Sequence, residues 1–310
     1  MKIAARKGGN FSTYEKEFTM LKRIITAAVC IAVFIPVLMF SDTLVFPIVL
    51  GVLALIAIFE ITGCVDVRRK YHLSLPSYLF VAVSFVLMTV ALDSYMAEKT
   101  LLSLLFALGY AYLLFIFAVT MLTRGNIKFS QAAELVSTTL YILIGFLSIL
   151  VLRRHETGKY LYLLVFLGAW MTDTGAYFFG KFLGKRKLIP EVSPNKTVAG
   201  AFGGIVGCIV GYIVYALILQ TWFEVRVNYW LLIALAAVIA VISQFGDLIA
   251  SYIKRERGVK DYGFLFPGHG GVMDRFDSVI AVSPVLTAIV LLLPDNLNIF
   301  EQMMLDIKML

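Results

Sequence analysis

Long apolar runs separated by short polar stretches dominate the hydropathy pattern of this chain. A hydrocarbon layer about 30 Å thick is crossed by about 20 apolar residues as a helix. Nine runs qualify, near residues 21–40, 44–63, 76–92, 100–121, 133–151, 160–180, 199–221, 229–252 and 276–294. They predict an all-α polytopic membrane protein of about nine transmembrane helices. The first run follows a polar stretch of about 20 residues, carries Pro36, and leads to Ser41, Asp42 and Thr43 without a small-residue cleavage site, so it reads as a retained span. The chain then divides into an N-terminal tail (1–20), an N-terminal region of about five helices (21–152), a C-terminal region of about four helices (153–294), and a C-terminal tail (295–310) that is assigned no chemistry.

Composition sharpens this pattern. Of 310 residues, 60% are hydrophobic and 15% charged, against roughly 45–50% and about 25% in soluble domains. No polar stretch is long enough to make a separate water-soluble domain. Cys30, Cys64 and Cys208 lie in or beside apolar runs with no C-x-x-C pair, so they read as packing residues. The formal net charge is +7. With the N-terminus in the cytoplasm, 21 of the 27 lysines and arginines fall on the inner side, as the positive-inside rule requires. The outer loop with Arg153, Arg154 and Lys159 runs against that trend.

Ten of the 21 sit in two inner loops, KFLGKRKLIPEVSPNKT (181–197) and KRERGVKDYGFLFPGHGGVMDR (254–275). Both are long and rich in Gly, Pro and charge, which points to function. At the inner end of the eighth run, Asp247, Ser251 and Lys254 share one helix face, as do Asp274 and Asp277 where the ninth begins. An Asp247–Lys254 pair that only satisfies itself is the plainer alternative. Three aspartates from two adjacent helices make a hard oxygen set suited to Mg²⁺ with substrate phosphate. Between them, Pro267-Gly268-His269-Gly270-Gly271 predicts a turn exposing N–H groups as an anion nest, flanked by Lys254, Arg255, Lys260 and Arg275. His269 either contacts phosphate or helps to hold the loop. Asp173, inside the sixth run, is an intramembrane acid and so a functional candidate. Ser193, Lys196 and Thr197 precede the seventh run, where hydroxyls, an ammonium and a helix N-terminus can seat a phosphate. Gly203, Gly207 and Gly211 carry the small-xxx-small spacing of close helix packing.

The stretch from Ser251 to Asp277 resembles the signature of the phosphatidate cytidylyltransferases (CDP-diacylglycerol synthases): S-x-x-K-R, four residues, K-D, then P-x-H-G-G-x-x-D-R-x-D. Asp173 to Lys185, Ser193 to Thr197 and Gly246-Asp247 are similar to further landmarks of that family, so the likeness covers the chain from Trp170 onward. One departure is Ala199, where the family pattern has an acidic residue, and no role is carried over there. The resemblance implies transfer of a cytidylyl group from CTP to phosphatidic acid, giving CDP-diacylglycerol and pyrophosphate. It implies Mg²⁺ or Mn²⁺ on Asp247, Asp274 and Asp277, with Asp173 as a further ligand or hydrogen-bond partner, and leaves room for a second, monovalent ion. Lys254, Asp247, Asp274 and Asp277 are the expected catalytic set. Ser193, Lys196, Thr197, Ser251, Arg255, Lys260, His269, Gly270, Gly271 and Arg275 form the substrate and phosphate set. The expected surroundings are membrane lipids and a bacterial inner membrane with the site facing the cytoplasm, a homodimer, and no nucleic acid.

Two other classes stay open at this stage. An ion-coupled transporter would use Asp173 and Asp247 as coupling acids, although the charged motifs lie in one half only. A CTP-using polyprenol or lipid kinase would share much of the phosphate chemistry.

Overall fold

The computed structural model describes residues 26, 28–30, 32–93, 98–268, 270–294 and 297–302. The tail 1–20 and His269 lie outside the described residues. Nine helices occur among those described: α1 (Ala28–Met39), α2 (Val45–Cys64), α3 (Tyr71–Asp93), α4 (Glu98–Leu122), α5 (Phe129–Arg154), α6 (Gly158–Leu183), α7 (Val198–Phe223), α8 (Tyr229–Glu256) and α9 (Met273–Leu292). Seven of them, α2 to α5 and α7 to α9, are long and apolar enough to cross a membrane. α6 is 26 residues long but carries Asp173 in its second half.

Apolar side chains cover both the interior and the outside of this bundle. Phe46, Ile58, Phe146, Phe166 and Tyr212 fill its core, while Phe106, Met121, Phe182 and Trp230 point outward. Helices that are hydrophobic all round need a hydrocarbon solvent for their outer face. The seam between α6 and α7 is the tightest. A Cβ added at Gly207 would lie 2.6 Å from the Met171 carbonyl and 2.9 Å from Gly175 Cα, so only glycine lets these two backbones touch.

Two departures from the sequence expectation follow from local bonding. Helices run past several apolar boundaries: α3 starts at Tyr71 rather than 76, and α8 continues to Glu256, so that Lys254 and Arg255 are still helical. Near the start of α3, Ser74 and Ser77 donate their hydroxyls to the Arg68 and Leu73 carbonyls, supporting the turn around Pro76. The molecule is also not purely helical. β1 (Lys187–Ile189) and β2 (Ser193–Thr197) form an antiparallel hairpin, and β3 (Val225–Val227) pairs with β4 (Phe300–Gln302). The first hairpin shapes the loop before α7; the second pair engages part of the segment read as a plain C-terminal tail.

The inter-element bonds sort the helix ends into two sets. Arg257 pairs with Glu134, Lys70 reaches Gln131, and Arg255 reaches the Val192 carbonyl, all at the end where α2 and α8 finish and α5, α7 and α9 begin. At the other end Arg153 pairs with Asp42 and bonds Ser41, and Tyr162 donates to the Leu38 carbonyl.

Candidate active site

The first of these ends gathers nearly every residue that the sequence marks for chemistry. The β1–β2 hairpin closes through Lys187 opposite Thr197 and Ile189 opposite Ser193. Its last strand delivers Lys196, whose Nζ lies 2.7 Å from Asp247 Oδ2 and 3.4 Å from the Gln244 carbonyl on α8. Ser251, one turn further along α8, donates to Asp247 Oδ1 at 3.2 Å. Thr197 has a structural occupation here: its buried hydroxyl accepts from Gly200 N at 3.0 Å as the N-cap of α7.

Lys254 does not close on Asp247. It reaches across to α9 and bonds Asp274 Oδ1 at 2.7 Å, with its ammonium 5.3 Å from the Tyr262 ring. Asp274 Oδ2 accepts from Tyr262 N at 2.8 Å and Gly271 N at 2.9 Å. Burial pushes the Tyr262 phenol well up, so it stays protonated and donates to the Ala250 carbonyl at 2.9 Å. One turn along α9, Asp277 is buried, with Oδ1 on Ser278 N at 2.7 Å. Gly246 lets α8 and α9 meet closely enough to set Asp247 beside it: a Cβ there would lie 2.6 Å from Ala281 Cβ and 2.9 Å from the Asp277 carbonyl.

Asp173 is exposed on α6, with Asp247, Lys196 and Arg275 as its charged neighbours. Asp277 in turn has Asp247, Asp173 and Lys254 within electrostatic range. Three carboxylates from α6, α8 and α9 therefore face one region, ringed by Lys196, Lys254 and Arg275. Arg255, Lys260 and Arg275 are exposed on the segments that flank this region in sequence, and Ser193 stands at the turn end of the hairpin.

The glycine-rich loop behaves differently from the expected phosphate nest. Phe266 N bonds the Gly270 carbonyl at 2.9 Å, and the N–H of Gly271 goes to Asp274. The next two go to Glu60, Val272 N donating to Oε1 and Met273 N to Oε2, both at 2.9 Å. The protein's own carboxylates occupy these donors. Glu60 lies on α2, outside the polar motifs; the signal that could have found it is a lone acid within an apolar run, which must have a partner.

Among the described residues no three His, Cys, Asp or Glu side chains come together closely enough to hold a metal ion by themselves. The donors nevertheless suit a cation that completes its shell with substrate oxygens. Mg²⁺ characteristically takes one or two carboxylates together with phosphate and water, and Asp247, Asp277 and Asp173 are hard oxygen donors in the right region. Asp274 is the more enclosed: its side chain is 4% exposed and accepts from Lys254, Tyr262 N and Gly271 N, which commits it to Lys254 and the loop, whereas Asp247, bonded to Lys196 and Ser251, is 31% exposed.

A sequence profile of the cytidylyltransferase family matches residues 21–293. A phosphatidate cytidylyltransferase of Staphylococcus epidermidis is 35% identical over 272 residues, covering 88% of this chain and 99% of the relative. Proteins of the same name from Staphylococcus aureus and Staphylococcus haemolyticus are 33% and 32% identical, again over 88% of this chain and 99% of theirs. The chain belongs to the cytidylyltransferase family.

Proposed function

We propose that the chain transfers a cytidylyl group from CTP to phosphatidate, forming CDP-diacylglycerol and pyrophosphate. The observation that carries this reading is the convergence of Asp173, Asp247 and Asp277 with Lys196, Lys254 and Arg275 at one end of a lipid-clad bundle. A phosphate monoester has a second pKa of about 6, so at neutral pH the lipid phosphate is already an anionic nucleophile and needs no strong base. Its oxygen attacks the α-phosphorus of CTP, the bond to the β-phosphate oxygen breaks, and pyrophosphate leaves with the electron pair. The barrier is electrostatic, anion approaching anion, and positioned cations lower it.

Lys196 and Arg275, with Arg255 and Lys260 on the flanking segments, neutralise phosphate oxygens, and Ser193 and Ser251 orient them. Lys254 is held by Asp274 and supplies fixed positive charge. Mg²⁺ or Mn²⁺ on Asp247 and Asp277, with Asp173 beside them, would supply further charge neutralisation at the phosphates. α1 and α6 complete nine spans with the N-terminus and the site on the cytoplasmic side of a bacterial inner membrane, a reading supported by the basic residues at the site end. The homodimer rests on the sequence resemblance alone.

Purified protein given phosphatidate and CTP labelled at the α-phosphate should place label in lipid and release pyrophosphate, with other nucleotides giving little. Label from the γ-phosphate in lipid would instead make it a kinase. Ion flux in liposomes without nucleotide would support the transporter reading.

A further inference from the structure

We infer that Glu60, in the N-terminal half, is a positioning residue of this active site, an inference that rests on the cytidylyl-transfer reading above. Its side chain is 4% exposed, and its two oxygens take the N–H groups of Val272 and Met273, 212 and 213 residues away in sequence. Those residues immediately precede Asp274. The adjoining donor, Gly271 N, goes to Asp274 itself. Three consecutive N–H groups at the start of α9 are thus divided between two carboxylates, one from α2 and one from α9. Asp274 in turn fixes Lys254.

The loop closes around the Glu60 carboxyl from two sides. A Cβ added at Gly263 or Gly271 would overlap its oxygens, and the three nearest atoms at each position all belong to Glu60. This geometry has two consequences for the reaction. The N–H groups that would otherwise draw phosphate toward the helix start are already bonded, so the triphosphate meets the side-chain cations instead. The start of α9, which carries Asp274 and Asp277, is held in one position relative to α2, and through the Asp274–Lys254 pair relative to α8. Both oxygens are required: glutamine at this place would turn an NH₂ group toward one of the two N–H donors.

The test is a steady-state comparison with purified protein in detergent. Glu60→Gln should lower kcat by about 10²-fold, the scale expected when a reacting geometry shifts by about 1 Å, with KM for CTP and for phosphatidate within about twofold of wild type. Glu60→Asp should recover part of that loss. Amide exchange at residues 271–273 should accelerate in Glu60→Gln even without substrates. Gly263→Ala, whose added carbon meets Glu60, should lower kcat in the wild-type background and add no further loss on top of Glu60→Ala. If Glu60→Gln does not fold, Glu60→Asp and Gly263→Ala, each read alone for kcat and for exchange at 271–273, keep the inference testable. A lowered melting temperature with unchanged kcat per folded molecule would reduce Glu60 to a structural role and overturn the inference, as would additive losses in the double variant. If wild type itself made no CDP-diacylglycerol, the functional reading would fail, while accelerated exchange at 271–273 would still report the Glu60 contact.

Discussion

Two ion pairs at this site look alike in distance and differ in surroundings. Lys196–Asp247 and Lys254–Asp274 are both 2.7 Å long, but the Asp247 side chain is 31% exposed and that of Asp274 only 4%. Breaking a buried pair leaves an uncompensated charge, at about 3–5 kcal/mol, whereas water reaches the half-buried Lys196–Asp247 pair and brings it nearer the about 0–1 kcal/mol of exposed pairs. Asp274→Asn should therefore lower thermal stability and activity together. Lys196→Met should lower kcat by about 10²–10³-fold, the usual scale for one electrostatic donor, while its melting curve stays near wild type. Equal destabilisation of the two variants would contradict this division of labour. The residues around these pairs were legible because their spacing is informative: Asp247, Ser251 and Lys254 recur on one helix face, and Asp274 and Asp277 on another. The pairing was not legible, since Lys254 could equally have turned back to Asp247, and only the approach of α9 decides. Glu60 has no spacing partner at all; its partners are backbone N–H groups, which any sequence supplies.

At the scale of elements, the apolar runs marked the helices but not their ends. Two helix starts are fixed by side-chain bonds that hydropathy does not register, Thr197 capping α7 and Asn228 capping α8 through Leu231 N. The β1–β2 hairpin was hidden for a related reason, since a five-residue strand reading SPNKT has no alternation to reveal it. The Gly203, Gly207 and Gly211 spacing did reveal a seam, and the structure places α6 on it. That seam carries Asp173 on one helix and follows Lys196 on the other, so its closeness bears on the site. Gly207→Ala should push the two backbones apart, because the added carbon meets Met171 O and Gly175 Cα rather than a yielding side chain. Overpacking of this kind costs about 1–3 kcal/mol. Thermal unfolding in detergent should show the loss, whereas Val206→Ala, on the exposed side of the same helix, should unfold near wild type. Matching curves for both variants would mean that the seam is looser than the geometry indicates.

For the whole molecule, the two halves distinguished by motif content do not act separately. Glu60 on α2 and Glu134 on α5 both hold the segment between α8 and α9, so the apparently featureless half braces the catalytic one. Sidedness is where sequence and three-dimensional structure meet most directly. The inner loops deduced from 21 of 27 basic residues are the loops that bond one another at the site end, while Asp42, Arg153 and Arg226 lie toward the opposite end. Bonding sorts the loops into two sets, and the positive-inside bias is the ground for the proposal that the site end faces the cytoplasm. Cysteine labelling checks it. In a background lacking Cys30, Cys64 and Cys208, Lys187→Cys on the exposed hairpin and Arg226→Cys on exposed β3 report opposite ends. A membrane-impermeant maleimide added to intact cells should label Arg226→Cys, and should reach Lys187→Cys only after the membrane is opened. The reverse pattern would put the site on the outer face, away from the cytoplasmic CTP that the proposed reaction consumes.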